Sequence, residues 1–196
     1  PAGGDPNLER LRPGQSFELH GQEVLVREMH VLPFVEDQWT KRFRFDRYDN
    51  PKLRRLRRQE KLDEVVKPGR GEFEKQVLLL DWAYRRIRKF GRPSKKVRGA
   101  LEICEAVDEG HTFYCAHYAR LLVSAAASMG WVDRGLALRT AGPARGSTEH
   151  SITETWSNEH GKWVMFDPTY ALYCKKAGRP LNAWEVRREW FHNDGN

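Results

Sequence analysis

Apolar and polar positions along the chain predict an ordered series of elements. Phe17 and Leu19, a His20-Gly21 turn, then Val24 and Val26 alternate as a β-hairpin over residues 16–28. Residues 1–13 are rich in Gly and Pro and are expected to be loose, and residues 29–49 follow no period, with Phe34, Trp39, Phe43 and Phe45 as docking aromatics. Pro51 opens a short basic helix carrying Leu53 and Leu56, and Lys67-Pro68-Gly69 ends that stretch in a turn. The strongest helical period spans 72–90, where Phe73, Val77, Leu80, Tyr84 and Ile87 form one stripe that Gly91-Arg92-Pro93 terminates. Trp82 lies off the stripe as a packed aromatic, and Ser94 is expected to cap a second helix that turns Val97, Leu101 and Cys104 inward. A third helix runs from Cys115 to Met129, with Ala119, Leu122, Ala126 and Met129 at helical spacing and Gly130 as its left-handed stop.

The pattern then changes to a period of two. Residues 131–140, with Leu136 and Leu138, predict a strand, and a Gly/Pro-rich loop follows over 141–148. His150, Ile152, Glu154 and Trp156 share one face of the next strand, and Trp163, Met165 and Asp167 share one face of the return strand. A hairpin loop at 157–160 sets Trp156 opposite Gly161, Glu154 opposite Trp163, Ile152 opposite Met165 and His150 opposite Asp167. Opposed side chains lie ~4.5–5.5 Å apart at Cβ, within reach of a carboxylate–imidazole bond. A closing helix begins near Asn182, with Asn182 as N-cap and Glu185 three residues on as its capping-box partner.

Composition limits the classes open to such a chain. Its 196 residues, 39% hydrophobic with seven Trp, suit one domain, or one domain with an extension, and exclude general disorder. No apolar run approaches the ~18–20 residues that span a bilayer, so no transmembrane segment is expected. The chain begins at Pro1, not Met, as expected of a processed chain; a secreted or periplasmic setting after removal of a signal is the corresponding expectation. Net charge is +7, and residues 41–70, with twelve Lys/Arg against five Asp/Glu, account for all of it. The stripe Arg54, Arg55, Arg57 and Arg58 is either a solvated helix face or a contact for a polyanion. The three cysteines, Cys104, Cys115 and Cys174, do not make a disulfide framework; Cys104 and Cys174 are expected as two buried free thiols, with their pairing as the alternative. No metal site and no cofactor are expected, because Cys115 and His117 stand only two apart and no second ligand cluster completes a zinc site.

Cys115 stands at a helix start, where unpaired N–H groups and a partial positive charge favour a thiolate. Taken alone it is more often a small buried thiol. His150 on a later strand and Asp167 opposite it would complete a set of nucleophile, base and orienter. His111, His117 and His160 compete as the base. The backbone N–H of Cys115 is a candidate oxyanion donor.

These residues sit in a pattern that resembles the transglutaminase-like superfamily of papain-like thiol enzymes, in its bacterial form. The matching segments are Cys115-Ala-His-Tyr118-Ala119, Gly130-Trp-Val-Asp-Arg134, His150-Ser-Ile-Thr-Glu154 and Trp163-Val-Met-Phe-Asp167-Pro-Thr169, in family order and spacing over roughly residues 72–173. Ile152 departs from the pattern, standing where many members carry an aromatic. The resemblance implies Cys115, His150 and Asp167 as the triad. It also implies an α+β fold: a helical half holding the nucleophile, packed on an antiparallel sheet. The expected division is an N-terminal extension over 1–71 and a catalytic core over 72–196. The implied activity is acyl transfer on peptide or side-chain amides through a thioester, with an amine or water as acceptor. Purely hydrolytic protease or amidase action is one alternative. A non-catalytic binding module using segment 41–70 is the other.

Overall fold

The computed structural model describes residues 14–19, 22–25, 49–139 and 149–192. The chain divides into two compact units, Pro1–Phe45 and Asp46–Asn196. In the first, strands β1 (Ser16–Leu19) and β2 (Gln22–Leu25) pair antiparallel, with Phe17 opposite Val24. That is the hairpin the alternation predicts. Its turn, Val26 and the aromatics at 34, 39, 43 and 45 lie outside the described residues.

The larger unit is α+β. It opens with helices α1 (Pro51–Gln59), α2 (Leu62–Val66), α3 (Glu72–Arg86), α4 (Ala100–Asp108) and α5 (Cys115–Ser128). Strands β3 (Asp133–Arg139), β4 (Glu149–Ser157) and β5 (Lys162–Phe166) follow and pair antiparallel in that order. A small ribbon of β6 (Lys175–Lys176) and β7 (Arg179–Pro180) leads to helix α6 (Ala183–His192). No helix among the described residues is long and apolar enough to cross a membrane.

Helix α1 starts where Pro51 takes the first helical position and Asn50 Oδ1 accepts the Lys52 N–H at 2.9 Å. Leu53 and Leu56 are buried, while Arg57 reaches Asp63 at 2.6 Å and the Ser128 carbonyl at 3.0 Å. Arg55 faces Glu105 at 3.7 Å, and Arg54 and Arg58 are exposed. Leu56, Leu62 and Val66 belong to the same core as Leu79, Ile103, Leu121, Val164 and Phe166. The expected boundary at 71/72 therefore falls inside the larger unit, whose first two helices are held by buried leucines.

Helix α3 ends at Arg86, short of the predicted Phe90. Its buried residues are Gln76, Leu79, Leu80 and Ala83; of the predicted stripe, Leu80 and Ile87 are buried, Phe73 and Val77 pack half-buried against the core, and Tyr84 departs. Tyr84 is 44% exposed, whereas Gln76 is 2% exposed and donates Nε2–H to the Trp156 carbonyl at 3.0 Å. A satisfied amide can be buried cheaply, so Gln76 joins the apolar face of α3. Ser94 caps no helix: α4 begins at Ala100 behind Gly99, and Ser94 Oγ instead meets His111 Nδ1 at 2.7 Å. Val97 and Cys104 are buried as expected, and Trp82 packs against the core half-buried. Arg86 ties this layer together, reaching Glu60 at 2.7 Å, Asp108 at 2.7 Å and the Cys104 carbonyl at 3.1 Å.

The β4–β5 register differs from the predicted one. Trp156 lies opposite Trp163, and Thr153 opposite Phe166, so the hairpin loop is 158–161. The loop tip explains the choice. Glu72, at the start of α3, accepts Asn158 Nδ2–H at 2.7 Å and the Glu159 N–H at 3.0 Å, and Glu159 in turn accepts the Phe73 N–H at 3.1 Å. Carboxylates are favoured at a helix N-terminus, and the loop is locked there.

Candidate catalytic site

Cys115 is the first residue of α5, behind Tyr114, whose extended backbone (φ −106°, ψ 176°) supplies no side-chain cap. The approach to it is stapled. Phe113 is fully buried, its N–H donates to the Lys89 carbonyl at 3.3 Å, and its carbonyl accepts the Gly91 N–H at 2.9 Å. Thr112 Oγ1 donates to the Arg92 carbonyl at 2.8 Å, and Tyr118 OH donates to the Ile87 carbonyl at 2.6 Å. The predicted nucleophile helix is thus present, with Met129 as C-cap and Gly130 at φ 84° as its stop. Cys115 is a free, half-buried thiol, and its Sγ makes no hydrogen bond among the described residues.

His150 and Asp167 are brought together. His150 Nε2 lies 2.6 Å from Asp167 Oδ2. Asp167 is 6% exposed, and its Oδ1 accepts the Thr169 N–H at 2.9 Å. Its backbone exchanges hydrogen bonds with Leu172 at 2.8 and 3.1 Å. A carboxylate can only accept, so Nε2 carries the donated proton and Nδ1 is the nitrogen left for another partner. The pair is diagonal, not directly opposed: continuing the observed register sets Asp167 against Ile152, two residues along from His150. Diagonal neighbours remain within reach of longer side chains. The Tyr170 ring, 65% exposed, stands 5.7 Å from that of His150.

The competing histidines have other occupations. His111 is held by Ser94, and the ring of His160 meets the edge of Phe73 with centroids 4.9 Å apart. His117 is buried between Phe113 and Tyr114; burial, and then the charge of Arg120, hold its imidazole below the ordinary value. The other two cysteines are free rather than paired. Burial pushes the Cys104 thiol up to about 12, and burial also raises that of Cys174.

The sequence motifs contain two residues whose work becomes visible only in three dimensions. Glu154 is 3% exposed; its Oε2 accepts from Arg134 at 2.6 and 3.0 Å, and its Oε1 accepts the Ala183 N–H at 2.8 Å. The Arg134 guanidinium also stacks 4.2 Å from the Trp163 ring centre. One carboxylate therefore joins β3, β4 and the start of α6. Thr169 and Tyr170, which brace and flank the pair, were not foreseen; the Asp-Pro-Thr turn was the available signal.

No family model matches the chain, and no curated protein matches it. Two solved structures are similar. One is a proposed cysteine protease from Cytophaga hutchinsonii, with TM-score 0.46 and 17% identity, over 65% of this chain and 40% of that one. The other is the periplasmic domain of TgpA from Pseudomonas aeruginosa bound to ethylmercury, with TM-score 0.43 and 22% identity, over 68% of this chain and 49% of that one. The chain thus aligns with less than half the length of each.

Proposed function

We propose that the chain is a thiol enzyme of the transglutaminase-like superfamily, with a papain-like arrangement of Cys115, His150 and Asp167, acting on peptide or side-chain amides of proteins. Cys115 passes its thiol proton to His150 Nδ1 and the resulting thiolate attacks the amide carbonyl carbon, with the Cys115 backbone N–H at the helix start as one oxyanion donor. The C–N bond breaks as His150 gives its proton to the departing amine, and a thioester remains. Water or a primary amine then attacks the thioester carbonyl and loses a proton to His150 as the C–S bond breaks. Asp167 holds the imidazole in one tautomer throughout and stabilises its cationic form. The observation that carries this reading is the 2.6 Å His150–Asp167 contact, with the second carboxylate oxygen braced by Thr169 and Nδ1 without a partner among the described residues.

The test is amine release from peptide amides, with added hydroxylamine to capture the acyl group as a hydroxamate. Activity should vanish in both Cys115→Ser and His150→Ala, with the acyl group found on Cys115 by mass spectrometry in the parent. Survival of turnover in either variant would sink the assignment. The ratio of hydroxamate to free acid then measures how the thioester divides between amine and water.

A further inference from the structure

A groove with a volume of about 1190 Å³ runs beside α5, and its described lining residues all belong to the larger unit. That exceeds the ~300–1,000 Å³ usual for small-molecule pockets, so it suits a length of chain rather than a metabolite. It adjoins both halves of the proposed site through residues next to Cys115 and His150. Ala116, the neighbour of Cys115, lines it from α5, and Ser151 and Ile152, next after His150, line it from β4. Ile152 shares the strand face of His150. Ala119, Val123 and Leu136 extend the apolar lining.

The charges around this groove are unequal. Its two carboxylates are already engaged: Glu102 accepts the Arg98 N–H at 2.7 Å, and Glu105 faces Arg55 at 3.7 Å. Lys52, Arg98 and Arg120 also line it, are exposed, and have no carboxylate partner among the described residues. With Arg55 counted, four cations face two carboxylates, and the net +2 over an apolar lining attracts a chain that carries carboxylates between aliphatic side chains. Among the described residues the lining has no aromatic on which a nucleobase could stack, which favours a peptide over single-stranded nucleic acid. We propose that this groove binds the acyl donor as an extended acidic peptide, with Lys52, Arg98 and Arg120 meeting its carboxylates. The proposal rests on Cys115 as the nucleophile for its catalytic meaning, but not for binding.

Binding is therefore measured without turnover, on full-length Cys115→Ala protein. The probes are fluorescein-labelled peptides of equal length, one rich in Glu and Ala, one with Gln in place of Glu, and a single-stranded oligonucleotide. The acidic peptide should bind about tenfold tighter than the neutral one at low salt, the scale set by three solvent-screened ion pairs. The preference should shrink as salt is raised. Lys52→Glu/Arg98→Glu/Arg120→Glu should abolish it. Arg54→Glu/Arg58→Glu, which alters α1 outside the groove, should leave it intact. Equal binding of the two peptides, tighter binding of the oligonucleotide, or an equal loss in the α1 variant would each overturn the proposal. If charge preference appears while parent Cys115 forms no acyl-enzyme, the groove stands and the thiol-enzyme reading falls. If turnover occurs without charge preference, the groove falls and the thiol-enzyme reading stands.

Discussion

Asp167→Asn tests the core of the site with little disturbance to the fold. Asparagine keeps an oxygen for the Thr169 N–H, now accepted at 2.9 Å, so stability should change by less than about 1 kcal/mol. Its amide N–H₂ then faces His150 Nε2, where the carboxylate now accepts at 2.6 Å. Two donors cannot share that line, so the imidazole proton moves to Nδ1, and Nδ1 can no longer accept one. A hydrogen bond to a charged group contributes about 1.5–3 kcal/mol, which is roughly a 10- to 150-fold loss of thiolate at fixed pH. There is also a ceiling: a cysteine of ordinary pKa is only about 0.3% thiolate at pH 6, so no fall can exceed roughly 300-fold. The assay is iodoacetamide alkylation at pH 6, read peptide by peptide in a mass spectrometer. Cys104, pushed up to about 12, and Cys174, also raised, stay silent there, so the signal belongs to Cys115 alone. By pH 9 the parent and variant should agree within about twofold, because an ordinary thiol is then mostly ionised. Alkylation of the variant at the parent rate at pH 6, with an unchanged melting curve, would make the His150–Asp167 pair structural and refute the reasoning.

Three further outcomes follow from buried polar groups. Glu154→Ala strands the Ala183 N–H and frees Arg134, which is 51% exposed and can turn to water; the cost should be about 2–4 kcal/mol, with faster amide exchange at the start of α6. A loss under 1 kcal/mol would contradict that role. Burial raises the Asp133 carboxyl to about 8, against the opposing hydrogen bonds from Thr155 Oγ1 at 2.5 Å and from the Arg134 backbone. Its folded value lies above the ~3.9 of an unfolded chain, so its contribution is complete below about pH 4 and is lost as pH rises toward 8. Asp133→Asn should flatten the fall in urea midpoint between pH 5 and 8, and identical profiles for parent and variant would exclude a protonated Asp133. Arg86→Ala leaves Glu60, 14% exposed, as an uncompensated buried carboxylate and should cost about 3–5 kcal/mol by guanidinium denaturation. Replacing both partners with leucine should recover most of that loss, and failure to recover it would point to packing by the Arg86 stem instead.

The elements legible in the sequence are those specified by nearby residues. Cys115 to Gly130 was readable because loop, helix period and stop signal are contiguous. The capping box was readable for the same reason: Asn182 Oδ1 accepts the Glu185 N–H, and Glu185 accepts the Asn182 N–H, both at 2.8 Å. Where the deciding partner lay far along the chain, the reading failed. Gln76 is buried because the Trp156 carbonyl, 80 residues on, accepts its amide, and no local period records that. Ser94 looks like a helix cap until His111 is seen beside it. Residues 51–66 look like a charged extension because their arginines outnumber their leucines, yet burial of Leu56 and Leu62 is what places them in the core.

The hairpin shows why a His150–Asp167 contact can be anticipated from an incorrect register. Moving a four-residue loop by one position, from 157–160 to 158–161, shifts the strand pairing by two residues. Side chains alternate with a period of two, so an even shift changes neighbours along a face without changing the face. His150 and Asp167 therefore stay on the same side, and what changes is their offset, from opposed to diagonal. The diagonal is spanned by the length of the imidazole and by a carboxylate that the Thr169 N–H orients. The offset itself is set at the far end of the hairpin, where Glu72 and Glu159 bind each other's backbone or neighbouring N–H groups across the start of α3. Those bonds exist only with residues 158 and 159 at the loop tip. The position of the proposed orienter is thus fixed by the hairpin's opposite end, through strand pairing, and parity protects the pair against every even error in that pairing.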